Sequence, residues 1–276
     1  MQNNIKMLVL DMDGTTYHRM GTIIEENIQP ILKVMDKGIQ VVFVTGRPIF
    51  ASHNQLIQHG FTKNHSIIVG YNGGLMYDLK SETEILKQSI DTATVNRIFI
   101  ETAKPENSQC SIWAYSENLN EVYTLRFGEK TRIKAEATFF EGKIIYWENL
   151  TRGINSECLK LLVFNPTNSI LELMNSLKLE VHSGTFSENY EVNAEGVNKG
   201  MAVQWLSQHF NINLKDIMAM GDGGNDYPMM KIVGLPVAMK NSSDAIKQIS
   251  KKYIDLNAED GAVKAAIQQF ILEEEI

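Results

Sequence analysis

The sequence predicts an α/β protein: a doubly wound parallel sheet with a Rossmann-like core, interrupted by an inserted α+β cap domain. Three observations lead there. Short apolar runs of strand length alternate with helical periodicities near both ends of the chain. The polar residues fit for chemistry stand directly after those runs. The middle third loses the alternation and reads as one strand after another.

"MLVL", Met7–Leu10, is apolar throughout, as a strand covered on both faces must be. Ile28, Ile31, Leu32 and Met35 then fall at i, i+3, i+4 and i+7, one face of a helix, and Gly38 is placed to end it. "IQVVFV", Ile39–Val44, is a β-branched strand running into "TGR". Ile67–Val69 is a third strand, running into "GYNGG", whose residues accept positive φ.

Near the C-terminus, Ala202, Trp205, Leu206 and His209 to Phe210 mark a helix face. "IMAM", Ile217–Met220, and "LPVAM" are strands, the first ending at "GDGGND". A helix capped near Ser243 follows, and Val263, Ala266, Ile267 and Phe270 stripe the last one. Met229, Met230 and Trp205 read as core. From about Asp91 to Ser187 the runs "SIWAY", "EVYTLRF", "ATFFEGKIIYW" and "KLLVF", with a helical segment at Ile170–Leu177, have the composition of an insert built on an antiparallel sheet. The predicted organisation is a discontinuous core, residues 1–90 and 188–276, around an insert, residues 91–187.

The chain of 276 residues carries a net charge of −7, so it has no excess of Lys or Arg to displace counterions, which argues against general nucleic-acid binding. "MQNNIK" shows no signal-peptide pattern and no apolar stretch approaches a membrane span, so a cytoplasmic protein without a membrane partner is expected. Cys110 and Cys158 are too few for a disulfide framework, and the six histidines have no metal-ligand spacing, which disfavours zinc.

In an open parallel sheet, ligands bind beyond the carboxyl ends of the strands. Asp11 and Asp13 follow the first strand, Thr45-Gly46-Arg47 the second, Asn72-Gly73-Gly74 the third, and "GDGGND" with Asp222, Asn225 and Asp226 a later one. Singly, each also fits a structural role. "DMDGT" would be a type I turn, Thr45 an N-cap, Arg47 a solvated charge and Lys199 an exposed lysine in a helix's first turn. Asn72 would be the left-handed residue of a hairpin, and "GDGGND" a loop of Asx turns. Together they make chemical sense. Asp11, Asp13 and Asp222 repel one another unless a hard cation lies between them, and oxygen ligands without His or Cys select Mg²⁺. A hydroxyl, backbone N–H groups and a lysine would complete an anion cradle for a phosphoryl group.

"DMDGT", the threonine of "VFVTGR", the lysine of "GVNKG" and "GDGGND" resemble, in order, the four motifs of the haloacid dehalogenase superfamily. The long insert, the "NGG" before it and the "GVNKG" after it resemble the Cof-type branch, whose members carry a large α/β cap. The resemblance spans essentially the whole chain. It implies a Mg²⁺-dependent phosphatase acting on a small phosphorylated metabolite through an aspartyl-phosphate. Asp11 would be nucleophile and metal ligand. Asp13 would be the general acid/base and touch the metal through its backbone carbonyl. Thr45, the Gly46 N–H, Lys199 and Asn225 would bind phosphoryl oxygens, Arg47 and Asn72 outer parts of the substrate. Asp222 would be the remaining metal carboxylate, with Asp226 as metal ligand or ligand support. The sequence departs from the pattern at Thr16, where leucine is usual, at Ala194, where proline is frequent, and at Gly223, where asparagine is common. A phosphomutase, or a non-catalytic binder of a phosphorylated metabolite, would use the same fold.

Overall fold

The computed structural model describes residues 4–273 except 20, 52, 128–133, 135, 138, 139, 141 and 184–188. In chain order, the first segment carries β1 (Met7–Leu10), β2 (Gln40–Phe43), β3 (Ile67–Gly70), β4 (Leu75–Asp78) and β5 (Thr83–Lys87). The insert carries β6 (Ser111–Ser116), β7 (Glu121–Thr124), β8 (Lys143–Tyr146), β9 (Cys158–Phe164), β10 (Glu180–Ser183) and β11 (Asn189–Asn193). The last segment adds β12 (Ile217–Met220), β13 (Leu235–Met239) and β14 (Lys252–Ile254). The residues group into two units, Met1–Ile85 with Asn198–Ile276, and Leu86–Val197.

In the first unit the chain-first strand lies inside the sheet. The order is β14-β13-β12-β1-β2, parallel throughout, so β1 pairs on one side with β2 and on the other with β12 from beyond the insert. Every residue of β1, β12 and β13 is buried, which a parallel sheet achieves only with both faces covered. Helices do the covering in two sets. Ile28–Asp36 packs on Ala262–Ile267, while Lys199–His209, Tyr227–Ile232 and Asp244–Ile249 pack in succession on one another.

Ile28–Asp36 accepts Pro30 because the N–H that proline lacks belongs to the first turn, where it would have no partner. Its buried face is centred on Ile31, Val34 and Met35, with Ile28 and Leu32 at the margin. Gly38 ends it at φ 78°, its N–H donating to the Met35 carbonyl at 2.9 Å. Trp205, expected in the core, is half-buried and stacks on His209 at 4.6 Å between ring centroids, whereas Met229 and Met230 are buried as expected.

β3 departs from a simple parallel extension. It touches the sheet through one parallel bridge, Val44 to Val69, then turns at Tyr71–Gly73 into an antiparallel hairpin with β4. Tyr71, Asn72 and Gly73 all take positive φ there (51°, 58° and 109°), as the sequence of the turn allows.

The second unit is a six-stranded sheet of order β10-β11-β9-β6-β7-β8. Its pairs are antiparallel except β7 with β8, which run parallel, so the fully antiparallel expectation is corrected at that edge. One face, bearing Ile112, Ala114, Leu161, Val163 and Val192, packs against Val95, Ile98 and Phe99 of the helix Thr92–Thr102 and against Ile170 and Met174 of Asn168–Ser176. The first of these helices is rich in β-branched residues and carries little propensity of its own. Burial of its apolar face and the Asp91 cap, which accepts the Thr94 N–H at 2.9 Å, decide its conformation.

The unit boundaries shift from those the sequence suggested. Ile90 exchanges two backbone hydrogen bonds with Cys158, which places it with the insert, and β11 pairs with β9 and β10, so residues 189–193 leave the core. Thr138, Phe139, Glu141 and Ser187 of the expected insert strands and boundary lie outside the described residues. Among the described residues no helix is long and apolar enough to cross a membrane.

One close approach ties the start of β13 to the turn before β12. A Cβ at Gly234 would run into the Lys215 carbonyl, a backbone atom that cannot swing aside, while one at Gly38 would meet nothing. Gly234→Ala is therefore expected to cost roughly 1–3 kcal/mol through overpacking. Gly38→Ala should cost only about 1 kcal/mol, the left-handed penalty alone. Urea unfolding of the two variants checks the order.

Candidate active site

The site stands where β1, β2, β3 and β12 end. After Leu10 the Asp11 N–H still donates to the Met220 carbonyl at 3.1 Å, so the first carboxylate leaves from the last rung of the parallel ladder. The chain then coils tightly: the Met12 carbonyl accepts from the N–H groups of Thr15, Thr16 and Tyr17. Gly14, at φ 73°, has no room for a side chain, because a Cβ there would lie 2.7 Å from Asp222 Oδ2. Thr16, where the sequence departs from leucine, is buried and uses its hydroxyl to donate to the Asp11 carbonyl at 2.7 Å. Its own carbonyl accepts from Asn27 Nδ2, and Asn27 Oδ1 accepts the Lys264 N–H, anchoring the loop to the C-terminal helix.

Lys199 is the first residue of its helix and is fully buried, not the exposed lysine of a structural reading. A cation gains nothing at a helix N-terminus. Two carboxylates hold it instead: Nζ donates to Asp11 Oδ1 at 2.5 Å and to Asp226 Oδ1 at 2.6 Å. The other Asp226 oxygen accepts the N–H groups of Asp222 and Gly223, both at 2.9 Å, and so shapes the glycine-rich loop from within. Gly221 is required there, since a Cβ would lie 2.5 Å from the Asp226 carboxyl carbon.

Asp11, Asp222 and Asp226 are all buried and each offers an oxygen within 4.8 Å of the others. Burial, followed by Asp226 and Asp222, pushes Asp11 well above the usual carboxylate range against the pull of Lys199. Asp222 is pushed up to about 6, chiefly by burial and then by Asp226, although Arg19 donates to its Oδ2 at 3.0 Å. Burial works against the charge on Lys199, yet Asp11 and Asp226 outweigh it and hold the ammonium above its ordinary value. Three buried carboxylates with one buried cation among them form an all-oxygen donor set with room for more positive charge. A metal ion fits it.

Asp13 stands to one side, and it is not among the three clustered carboxylates. Arg47 holds it with two parallel donors, Nε and Nη2, and also reaches the Gly21 carbonyl. The guanidinium lies 5.8 Å from the centroid of the buried Tyr17 ring. Arg47 is thus a fixed partner of Asp13 rather than a solvated charge. Thr45 is buried, and its hydroxyl accepts the Arg47 N–H at 3.0 Å, turning the loop through Gly46. Asn72 keeps the left-handed conformation of a hairpin residue and also meets the site: its Oδ1 accepts from Asn225 Nδ2 at 3.2 Å, and its N–H donates to the Thr45 carbonyl.

Sequence reasoning missed the residues that hold these loops together. Asn241 Nδ2 donates to the Gly14 carbonyl at 2.8 Å, and the Ser242 hydroxyl donates to the Gly221 carbonyl at 3.0 Å. "NSS" after β13 reads as a helix cap, and its second use has no spacing signal. Arg19 likewise has none.

Comparison with known proteins places the chain in a family. A model of the haloacid dehalogenase-like hydrolases matches residues 8–266. The chain is 29% identical over 270 residues, 98% of its length and 97% of the relative's, to a 5-amino-6-(5-phospho-D-ribitylamino)uracil phosphatase of Bacillus subtilis. It is 25% identical to a phosphoglycolate phosphatase of Methanobrevibacter smithii, covering 98% of this chain and 100% of that one. A haloacid dehalogenase-like hydrolase from B. subtilis has a similar fold, with a TM-score of 0.80 at 21% identity over 97% of this chain and 100% of that one. With the buried Asp11–Lys199–Asp226 ion pair at the strand ends and a family match over most of its length, the chain belongs to the haloacid dehalogenase-like hydrolases.

Proposed function

We propose that the protein is a Mg²⁺-dependent phosphatase that hydrolyses a small phosphorylated metabolite, a sugar phosphate or phosphorylated cofactor, through a phosphoryl group carried on Asp11. The observation that supports it most is the position of Lys199: a fully buried ammonium on Asp11, within the same trio of carboxylates as Asp222. Substrates of that class are those for which relatives are named, one a phosphorylated ribitylaminouracil and one phosphoglycolate.

Asp11 and Asp222, with the Asp13 carbonyl, would hold the magnesium, whose charge offsets that of the phosphoryl oxygens. Asp226 serves as support, since both its oxygens already accept from Lys199 and the loop N–H groups. Asp11 attacks phosphorus as the ester P–O bond breaks, and Asp13 gives its proton to the leaving alkoxide. Asp13 then takes a proton from the water that attacks the aspartyl-phosphate, releasing phosphate and restoring Asp11. Lys199, the Thr45 hydroxyl, the Gly46 N–H and Asn225 steady the phosphoryl oxygens, with Arg47 and Asn72 orienting Asp13 and Asn225. The unit Leu86–Val197 acts as the cap that selects the leaving portion. Phosphate release from a panel of phosphorylated sugars and cofactors, with water as the only acceptor, tests the reading against a mutase or a binder.

Asp11→Asn should lower kcat/KM by at least about 10³-fold with an unchanged circular dichroism spectrum. Asp13→Asn should cost about 10²–10⁴-fold on alkyl phosphates but less on p-nitrophenyl phosphate, whose leaving group needs no proton.

Lys199→Ala removes the only side-chain cation shown bonded to Asp11 and Asp226, leaving two buried carboxylates uncompensated. Metal-free protein should lose about 3–5 kcal/mol of stability in urea unfolding, and activity should fall in kcat rather than KM alone.

The raised pKa of Asp222 sets a pH dependence. Its folded value of about 6 exceeds the ordinary aspartate value of 3.8, so its contribution to metal-free stability is full below the lower value and lost as pH rises through about 6. A bound cation displaces that proton. The rise in Tm on adding Mg²⁺ should therefore be larger at pH 7.5 than at pH 5.5, as thermal unfolding with and without chelator would show.

A further inference from the structure

We infer that Arg19 is a resident counter-ion of the metal site, one that occupies Asp222 in the metal-free protein and is displaced when a divalent cation binds. The inference rests on the proposed reading of the carboxylate trio as a cation site. Asp11, Asp222 and Asp226 bring three negative charges into a buried space, and two side-chain cations answer them. They are not equivalent. Lys199 is fully buried and shared by two carboxylates, so it cannot leave without stranding both. Arg19 holds Asp222 alone, through Nη2 to Oδ2 at 3.0 Å, and half of its side chain is exposed. It comes from the loop after the nucleophile turn, and Gly14 leaves the space it crosses. A Cβ at that glycine would lie 3.2 Å from Arg19 Nε and 2.7 Å from Asp222 Oδ2.

The charge balance assigns the two cations different tasks. With both in place the trio keeps one unanswered negative charge; with Arg19 withdrawn it keeps two, which a dication neutralises. A guanidinium is charged at every working pH, so Arg19 itself never loses the charge with which it competes. Arg19 therefore stabilises the empty site and weakens the apparent affinity for the metal by the same amount, since the cation must first break the Arg19–Asp222 bond. Nothing in the spacing of "TTYHRMG" points to this role; the coordinates alone bring the guanidinium to Asp222.

The test is Mg²⁺ binding without substrate, by calorimetry, on the parent, Arg19→Gln and Arg19→Lys. Arg19→Gln should bind Mg²⁺ roughly three- to tenfold more tightly, the range expected for removing a partly exposed, charge-assisted competitor. Its metal-free Tm should fall by about 2 °C and meet the parent's at saturating Mg²⁺. Arg19→Lys, which keeps the charge, should bind within about twofold of the parent. Equal or weaker affinity in Arg19→Gln overturns the inference. So does a gain as large in Arg19→Lys as in Arg19→Gln, which would trace the effect to loop reshaping rather than charge. If the parent itself binds no Mg²⁺, the proposed metal dependence fails, and the inference with it. Should Arg19→Gln not fold without metal, the Arg19 Nε–H resonance of the parent still decides. It should shift on Mg²⁺ addition, and an unmoved resonance under saturating metal overturns displacement.

Discussion

A buried ammonium between two buried carboxylates is costly to assemble, and most of the core's architecture follows from assembling this one. Lys199 comes from the segment after the insert, Asp11 from the start of the chain, and Asp226 from the turn beyond β12. Removing the ammonium leaves two carboxylates unpaired in a dry place, which is why the three elements must arrive in one arrangement. The loop geometry serves that arrangement. Asp226 spends its second oxygen on the N–H groups of Asp222 and Gly223, so the lysine's partner and the loop's scaffold are one side chain.

Neutral polar groups add further ties between the surrounding loops. Asn241 and Ser242 join the turn after β13 to the nucleophile turn and to the glycine-rich loop, and Thr16 with Asn27 joins the nucleophile turn to the last helix. Four of these bonds end on backbone carbonyls, and the fifth runs from the Lys264 N–H to Asn27 Oδ1. Fixing the backbone this way leaves the Asp11 side chain to Lys199, that of Asp13 to Arg47, and the Thr45 hydroxyl to the Arg47 N–H. Thr16 brings to the turn a hydroxyl that meets the Asp11 carbonyl, a bond that leucine could not make.

Much of the core was legible in the sequence because strands buried on both faces leave uninterrupted apolar runs, and Met7–Leu10 and Ile217–Met220 match β1 and β12 end to end. The four polar clusters were legible for a related reason: they follow those runs directly. β14 was missed, since two of its three residues are exposed and its "KYI" carries no apolar pattern. The helix Thr92–Thr102 was missed because its β-branched composition speaks for strand, and only packing overrides it. In the site, Lys199 was legible as a phosphoryl-binding lysine only through the motif, since taken alone it reads as solvent-facing, and its burial depends on two aspartates elsewhere in the chain. Arg19 and Asn241 act across still longer separations, 203 and 227 residues, where no local period records the contact.

The interior position of β1 has a consequence for how the molecule comes into being. Leu86–Val197 is one uninterrupted stretch with its own apolar centre, so everything it needs is present once that stretch has been made. β1 is in the opposite situation. Its second neighbour, β12, and the aspartates beyond it emerge only after the whole insert has been synthesised. During translation β1 waits with one edge open while a complete domain folds downstream of it. The unit that begins first is finished last, and a nascent chain that stops short of β12 leaves the carboxylate cluster without Asp222 and Asp226.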